Sequence, residues 1–299
     1  MRMENILVAT DFSLSAETAY SLVVQLAKRT NADVALLHVD ESHGFHSSEE
    51  LTDYLDRIAV YRRQLVDKAL DFFRRNEIEP VLHQVSGVAS EQIVALAGDL
   101  DADLVVMAKH GARTSSEHLL LGSTTTRVLR SCPVPMLIVP QQLSPHLAQP
   151  PQRLLVSTDF SDDSRRGLDH AVTLAEQLSL EIGLIHVLRL PYLIPAIPGE
   201  LVPAHVPGSL TNRWQTDANS QLTSEARRVS TVTVTPQLVL GTSVAVELAQ
   251  QAQPADLLVI PSHGKGALRA MALGSNTASL VKLARNPLIV LPHAYLKRN

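Results

Sequence analysis

Cysteine is nearly absent: Cys132 is the only one in 299 residues. One thiol cannot build an internal disulfide framework, and it suits a reducing compartment. No uninterrupted apolar run approaches about 18 residues, so no membrane partner is expected. No charge of one sign dominates. Lys and Arg number 26 against 30 Asp and Glu, for a formal net charge of −4. The cations are scattered rather than gathered in a stripe, so no nucleic-acid partner is expected. No signal-peptide pattern is seen, because Met1-Arg2-Met3-Glu4-Asn5 runs straight into a strand-like segment; a cytoplasmic protein is expected. The phosphate-binding pattern Gly-x4-Gly-Lys-(Ser/Thr) is missing, and no Gly-x-Gly-x-x-Gly follows the first strand. No group of residues offers nucleophile, base and orienting acid together, so turnover chemistry is not expected and no catalytic residue is assigned. With 45% hydrophobic and 19% charged residues the chain is globular, not disordered.

What is present is a repeat. Val8-Ala9-Thr10-Asp11-Phe12-Ser13 returns as Val156-Ser157-Thr158-Asp159-Phe160-Ser161. His38-Val39 returns as His186-Val187, and Ala102-Asp103-Leu104 as Ala255-Asp256-Leu257. His110-Gly111 returns as His263-Gly264, and Gly122-Ser123 as Gly274-Ser275. So many landmarks in one order mean two copies of one domain. We place them at residues 1–141 and 153–299. The linker 142–152 contains Pro145, Pro150 and Pro151, which stop regular structure.

Within the first copy, Ile6–Ala9 is short, apolar and bounded by turn residues, as a strand covered on both faces should be. Ala19, Leu22, Val23, Leu26 and Ala27 then follow a helical period, and Ser13 or Ser15 can cap that helix. Further strands are expected at Val34–Val39, Val81–Val85, Leu104–Ala108 and Met136–Val139. Helices are expected in the segment carrying Leu51, Leu55, Ile58, Leu65, Ala69 and Phe72, at Glu91–Leu100, and from Ser123. The second copy repeats this with strands at Leu154–Val156, Ile182–Val187, Gln237–Leu240, Leu257–Ile260 and Leu288–Leu291. Its helices are expected at Ser164–Leu178, Thr211–Val229, Ser243–Gln251 and Ser275–Ala284. Alternating strand and helix predicts right-handed crossovers and an open, doubly wound α/β sheet in each copy. Leu190–Pro207 has no twin of its kind. Its five prolines predict a surface loop, or a lid, since loops after strands lie on the ligand face.

Three pairs of positions point to chemistry. Gly122-Ser123-Thr124 and Gly274-Ser275-Asn276 sit where a polar loop enters a helix. Unpaired amides and a partial positive charge gather at a helix start, and phosphate suits both; an ordinary helix cap is the alternative. His110-Gly111 and His263-Gly264 follow buried strands at their carboxyl ends, where ligands bind in open parallel sheets. Ten residues separate Gly111 from Gly122 and nine separate Gly264 from Gly274, enough to wrap a phosphate chain. Thr10-Asp11 and Thr158-Asp159 end the first strand of each copy. A carboxylate there can accept from a ribose hydroxyl or an adenine amino group, or simply close a turn before the helix.

With these residues in view, the chain resembles a tandem universal stress protein, both halves being covered end to end. The family motif is Gly-x2-Gly-x9-Gly-(Ser/Thr) after a strand led by Ala-Asp-aliphatic. The resemblance implies two Rossmann-like five-stranded parallel sheets of order 3-2-1-4-5, of the adenine nucleotide alpha hydrolase-like type, related by a pseudo-twofold. It implies ATP, with Mg²⁺, as ligand. Adenine-side positions would be Thr10, Asp11, Val39 and Met107, and Thr158, Asp159, Val187 and Ile260. Phosphate-side positions would be His110, Gly111, Gly122, Ser123 and Thr124, and His263, Gly264, Gly274, Ser275 and Asn276. Two departures stand out. Ala108 and Pro261 replace the first motif glycine, and the first loop is one residue longer than the motif's. The second copy keeps the spacing and adds Lys265, so it is slightly preferred, although Pro261 has no N–H. The resemblance also implies that Met136–Val139 and Leu288–Leu291 are edge strands that pair across a dimer interface. Fusion would make that pairing internal, with a homodimer of whole chains still open.

The expectation is therefore a nucleotide-binding stress-response module, regulatory or protective. A scaffold of the same fold without nucleotide, or a very slow ATPase, are the alternatives. His43 and His46, with His38, offer a transition-metal set or a polar loop, and the loop is favoured, so no metal is assigned. Cys132 before Pro133 reads as a packed small residue.

Overall fold

Short apolar runs become strands, and stripes of 3.6-residue period become helices. The computed structural model describes residues 1–41, 49–111, 121–141, 150–189, 193–197, 200–203, 208–264 and 273–297, with backbone alone at 49–56, 193–197 and 200–203. It divides into two units.

The unit Met3–Pro150 contains β1 (Asn5–Ala9), α1 (Leu14–Thr30), β2 (Asp33–Asp40), α2 (Glu49–Arg75), β3 (Val81–Ser86), α3 (Ala89–Asp99), β4 (Leu104–Ala108), α4 (Ser123–Ser131) and β5 (Met136–Val139). Its strands are all parallel, in the order β3-β2-β1-β4-β5. β1 touches both β2 and β4, so the direction of strand addition reverses there. In an open α/β sheet this reversal leaves a crevice at the strands' carboxyl ends. Leu104 to Met107 of β4 are buried throughout, whereas β3 at the rim alternates with exposed positions.

The other unit consists of Met1–Arg2 and Pro151–Asn299. It contains β6 (Arg153–Ser157), α5 (Asp162–Leu178), β7 (Glu181–Arg189), β8 (Leu193–Ile197), β9 (Glu200–Pro203), α6 (Gly208–Arg227), β10 (Val234–Gly241), α7 (Val244–Gln251), β11 (Asp256–Pro261), α8 (Ser275–Leu283), β12 (Leu288–Leu291) and α9 (His293–Leu296). The parallel order β10-β7-β6-β11-β12 repeats the first unit's, strand for strand.

Helix ends follow local chemistry. Ser13 caps α1 by accepting from Ala16 N at 3.2 Å, and Ser161 caps α5 by accepting from Ser164 N at 3.2 Å. Asn31 and Ser179 close the same helices in the left-handed region, at φ 55° and 53°. The expected α1 stripe is buried in full.

Three expectations need correction. The inner edge of α2 is Val66, Ala69 and Phe73, while Leu65 and Phe72 are half-buried. The rings of Phe73 and Phe72 lie 5.1 and 5.8 Å from that of Tyr20 on α1, and Phe73 is the one fully buried. Leu51 and Leu55 fall outside the described side chains. β10 starts at Val234, ahead of the expected Gln237, and runs through Pro236. A rim strand tolerates proline because one of its sides needs no donor. Within Leu190–Pro207, β8 and β9 form an antiparallel pair with Leu193 opposite Pro203 and an irregularity between Pro195 and Ile197. An isolated two-stranded pair likewise leaves half its donors unused, so prolines do not forbid it. The short helix α9 was also unexpected.

Candidate functional site

Each first strand ends in a turn that consumes its own polar groups. Thr10 Oγ1 accepts from Phe12 N at 2.9 Å and Asp11 Oδ1 accepts from Ser13 N at 3.0 Å. In the second unit Thr158 Oγ1 accepts from Phe160 N at 3.1 Å and Asp159 Oδ1 from Ser161 N at 3.0 Å. These bonds hold Phe12 and Phe160 at φ 58° and 61°, a conformation bulky side chains rarely adopt. His38 and His186 complete the turn. Their Nδ1 atoms lie 3.0 and 2.8 Å from Thr10 O and Thr158 O, and their rings pack at 4.6 and 4.3 Å from Phe12 and Phe160. The recurrence of Thr-Asp-Phe-Ser with a distant His is thus one supported turn. Tyr20 adds a 2.5 Å contact to Thr10 Oγ1, and burial raises its phenol pKa far above the usual value.

The other oxygen of each aspartate faces the glycine loop. A Cβ on Gly111 would stand 2.6 Å from Asp11 Oδ2, and one on Gly264 only 2.4 Å from Asp159 Oδ2. Only glycine lets the two strand ends meet this closely. The turn reading of Asp11 and Asp159 and their position at the crevice therefore both hold.

At the loop's far end, Gly122 and Gly274 are themselves the N-cap residues, and neither α4 nor α8 has a side-chain cap. Ser123 and Ser275 are the first helical residues, followed by Thr124 and Asn276. Their hydroxyls do not cap, contrary to the ordinary-cap alternative. Gly122 N donates to Lys109 O at 3.0 Å and Gly274 N to Ser262 O at 2.8 Å, which fixes each helix start beside the strand end. Thr125 and Thr277 reinforce this by donating to Ala108 O and Pro261 O, both at 3.0 Å. Among the described residues no side chain caps the amides that begin the helix after the two glycines, a geometry suited to an anion. Met107, Val187 and Ile260 are buried and Val39 half-buried, each on the strand expected for it. Residues 112–120 and 265–272, including Lys265, lie outside the described residues, as do His43 and His46.

The two units differ in three ways. First, Pro261 turns its ring onto α5, where a Cβ on Gly167 would lie 3.3 Å from its Cγ. The first unit pairs Ala108 with Ala19 at the matching positions. Second, Lys109 precedes His110 and is buried, its ammonium pKa lowered by desolvation, whereas Ser262 precedes His263. Third, Ser262 anchors a cluster that was not foreseen from the sequence. Its Oγ lies 2.8 Å from His263 Nδ1 and accepts from His293 N at 3.0 Å. Asp163 Oδ2 lies 2.5 Å from His293 Nδ1. The rings of His263 and His293 are 5.8 Å apart. Burial, then the neighbouring His293, lowers the His263 pKa and favours its neutral form. The matching residues of the first unit are Lys109, Ser15 and Gln141. That divergence between copies was the one signal available.

Other motif residues are structural. Asp103 Oδ2 accepts from Glu4 N and Asn5 N at 2.8 and 2.9 Å, and Asp256, almost wholly buried, pairs with Arg153 at 2.6 Å. Each ties the start of the fourth strand of its sheet to the first. Cys132 is buried and its thiol is pushed up to about 11 by desolvation, as a packed residue would be. Among the described residues no three His, Cys, Asp or Glu side chains converge as a metal site, and no helix is long and apolar enough to cross a membrane. A cavity of about 550 Å³ lies between α1 and α2, lined by Phe12, Tyr20, Leu65, Ala69 and Phe72 among others. None of the expected site residues lines it.

Comparison with known proteins gives one answer. The profile of the universal stress protein family matches residues 3–140 and again 151–292. Universal stress protein Slr1230 of Synechocystis sp. is 22% identical over 311 residues, covering 96% of this chain and 99% of that protein. Universal stress protein MJ0577 of Methanocaldococcus jannaschii is 27% identical over 158 residues, 47% of this chain and 97% of its own length. Among solved structures, a universal stress protein from Archaeoglobus fulgidus superposes with a TM-score of 0.67 at 16% identity, covering 97% of this chain and 98% of that one, a likeness of fold. The chain belongs to the universal stress protein family, with one copy of the family's domain in each half.

Proposed function

We propose that the chain binds an adenine nucleotide at the carboxyl ends of its sheets and works as a stress-response binding module rather than a turnover enzyme. The observation that carries this reading is the pair of helix starts at Gly122 and Gly274, both without a side-chain cap and both fixed beside the strand end. Phosphates would meet the amides following Gly274 or Gly122, and Mg²⁺ would arrive on the phosphate oxygens, as it usually does. The adenosine would lie toward Asp159 and Val187, or Asp11 and Val39. The departure at Pro261 weighs less than its sequence suggests, since its ring packs on α5. The second unit is preferred for its loop spacing.

Mass spectrometry of small molecules released by denaturing the purified chain tests this directly. The expected result is ATP or a related adenine nucleotide, together with a rise in thermal midpoint at millimolar ATP. Finding neither would overturn the reading in favour of a scaffold. Phosphate release that continues through many turnovers in the same sample would make it an enzyme.

A further inference from the structure

The imidazoles of His263 and His293 are arranged as metal ligands usually are. Each has its Nδ1 occupied by a protein group: Ser262 Oγ at 2.8 Å for His263 and Asp163 Oδ2 at 2.5 Å for His293. A carboxylate on Nδ1–H leaves Nε2 as the lone-pair nitrogen and fixes the ring's direction, the support found behind metal-bound histidines. His263 Nε2 is shielded from solvent and has no hydrogen-bond partner among the described residues. A buried polar atom of that kind points to a missing partner. Two imidazoles bound through Nε2 at about 2.0–2.1 Å hold their ring centres roughly 5–6 Å apart; here the separation is 5.8 Å. The side chain of His293 is 23% exposed, which leaves an entry route.

We propose that His263 and His293 bind one divalent transition-metal ion of the zinc class through their Nε2 atoms. Asp163 is the positioning residue behind His293, and Ser262 sits behind His263. Among the described residues no third His, Cys, Asp or Glu joins the pair, and residues 265–272 contain none, so water or an anion is assigned to the remaining coordination positions. The first unit has Lys109, Ser15 and Gln141 at the matching positions, so this histidine pair is not repeated there. The inference does not depend on nucleotide.

The test is titration of the full chain, stripped with chelator, with Co²⁺ and Zn²⁺ at neutral pH and without nucleotide. Visible absorption and calorimetry supply the readouts. One equivalent is expected, with a Co²⁺ spectrum that disappears in His263→Gln and in His293→Gln. Asp163→Asn should weaken binding about 10- to 100-fold while keeping the spectrum, as loss of a supporting partner does. A His43→Gln/His46→Gln variant should bind as the parent does. An unchanged spectrum in the His263→Gln/His293→Gln double variant, or its loss in the His43→Gln/His46→Gln variant, would refute the site. Should a histidine variant fail to fold, ¹⁵N imidazole resonances of the unaltered chain decide. Zn²⁺ must then shift two Nε2 signals, and no shift overturns the proposal.

Discussion

Gly122 and Gly274 occupy the same place in the two copies, yet they should not tolerate a methyl group equally. A Cβ on Gly274 would stand 2.9 Å from Ser262 O, a backbone atom that cannot swing away, while one on Gly122 would stand 3.4 Å from Lys109 O. Both residues have ordinary negative φ, −59° and −57°, so backbone strain does not enter. Gly274→Ala should therefore cost about 1–3 kcal/mol, the usual range for overpacking, and Gly122→Ala markedly less. Urea denaturation of the two variants checks this, and equal losses would contradict it. At this scale much was legible. Thr-Asp-Phe-Ser, its partner histidine and the glycines were visible because duplication displays what one copy would hide. The cluster of Asp163, Ser262, His263 and His293 was not. Its members come from the start of α5 and the ends of β11 and β12, which only the sheet order brings together.

Among the elements, α8 allows stability and binding to be separated. Ser275 is its first residue, and no side chain caps the helix start. An acidic residue there favours the helix by about 0.3–1 kcal/mol through the helix dipole, while it repels an anionic guest. Ser275→Asp should thus hold or raise the thermal midpoint and weaken ATP binding to the second unit by at least tenfold, measured by calorimetry. A variant that lost both would show an effect on folding rather than on the site. Element type was readable from apolar period nearly everywhere. The β8–β9 pair is not legible because five prolines read as a loop, whereas a two-stranded ladder has donors to spare. The rotated face of α2 is not legible because Phe72 and Phe73 both fit the stripe and both rings reach Tyr20; only the depth of burial, complete for Phe73, separates them.

For the molecule as a whole, acid should loosen the second unit. Burial, together with the chain's amino terminus nearby, pushes the His170 pKa down to about 4. An unfolded imidazole titrates near 6.5, so between pH 6.5 and 4 the unfolded state binds more protons and stability falls as pH drops. Below about 4 this loss is complete. The His263 pKa is lowered as well and acts in the same direction. Denaturation at pH 7 and pH 5 should show a smaller loss in His170→Phe, which keeps a ring beside Tyr295; an equal loss would contradict the assignment. The exchange of Ala19 and Ala108 for Gly167 and Pro261 has a different consequence. On a helix, Gly→Ala is worth up to about 1 kcal/mol in propensity, which contact with the proline ring should cancel at Gly167. The gain should appear once Pro261 is also alanine, a coupling of the size neighbours show. Ancestral copies that began identical have thus become non-interchangeable: a hybrid gene grafting one strand end into the other half must carry its helix partner along, or it inherits a mismatch that neither parent contained.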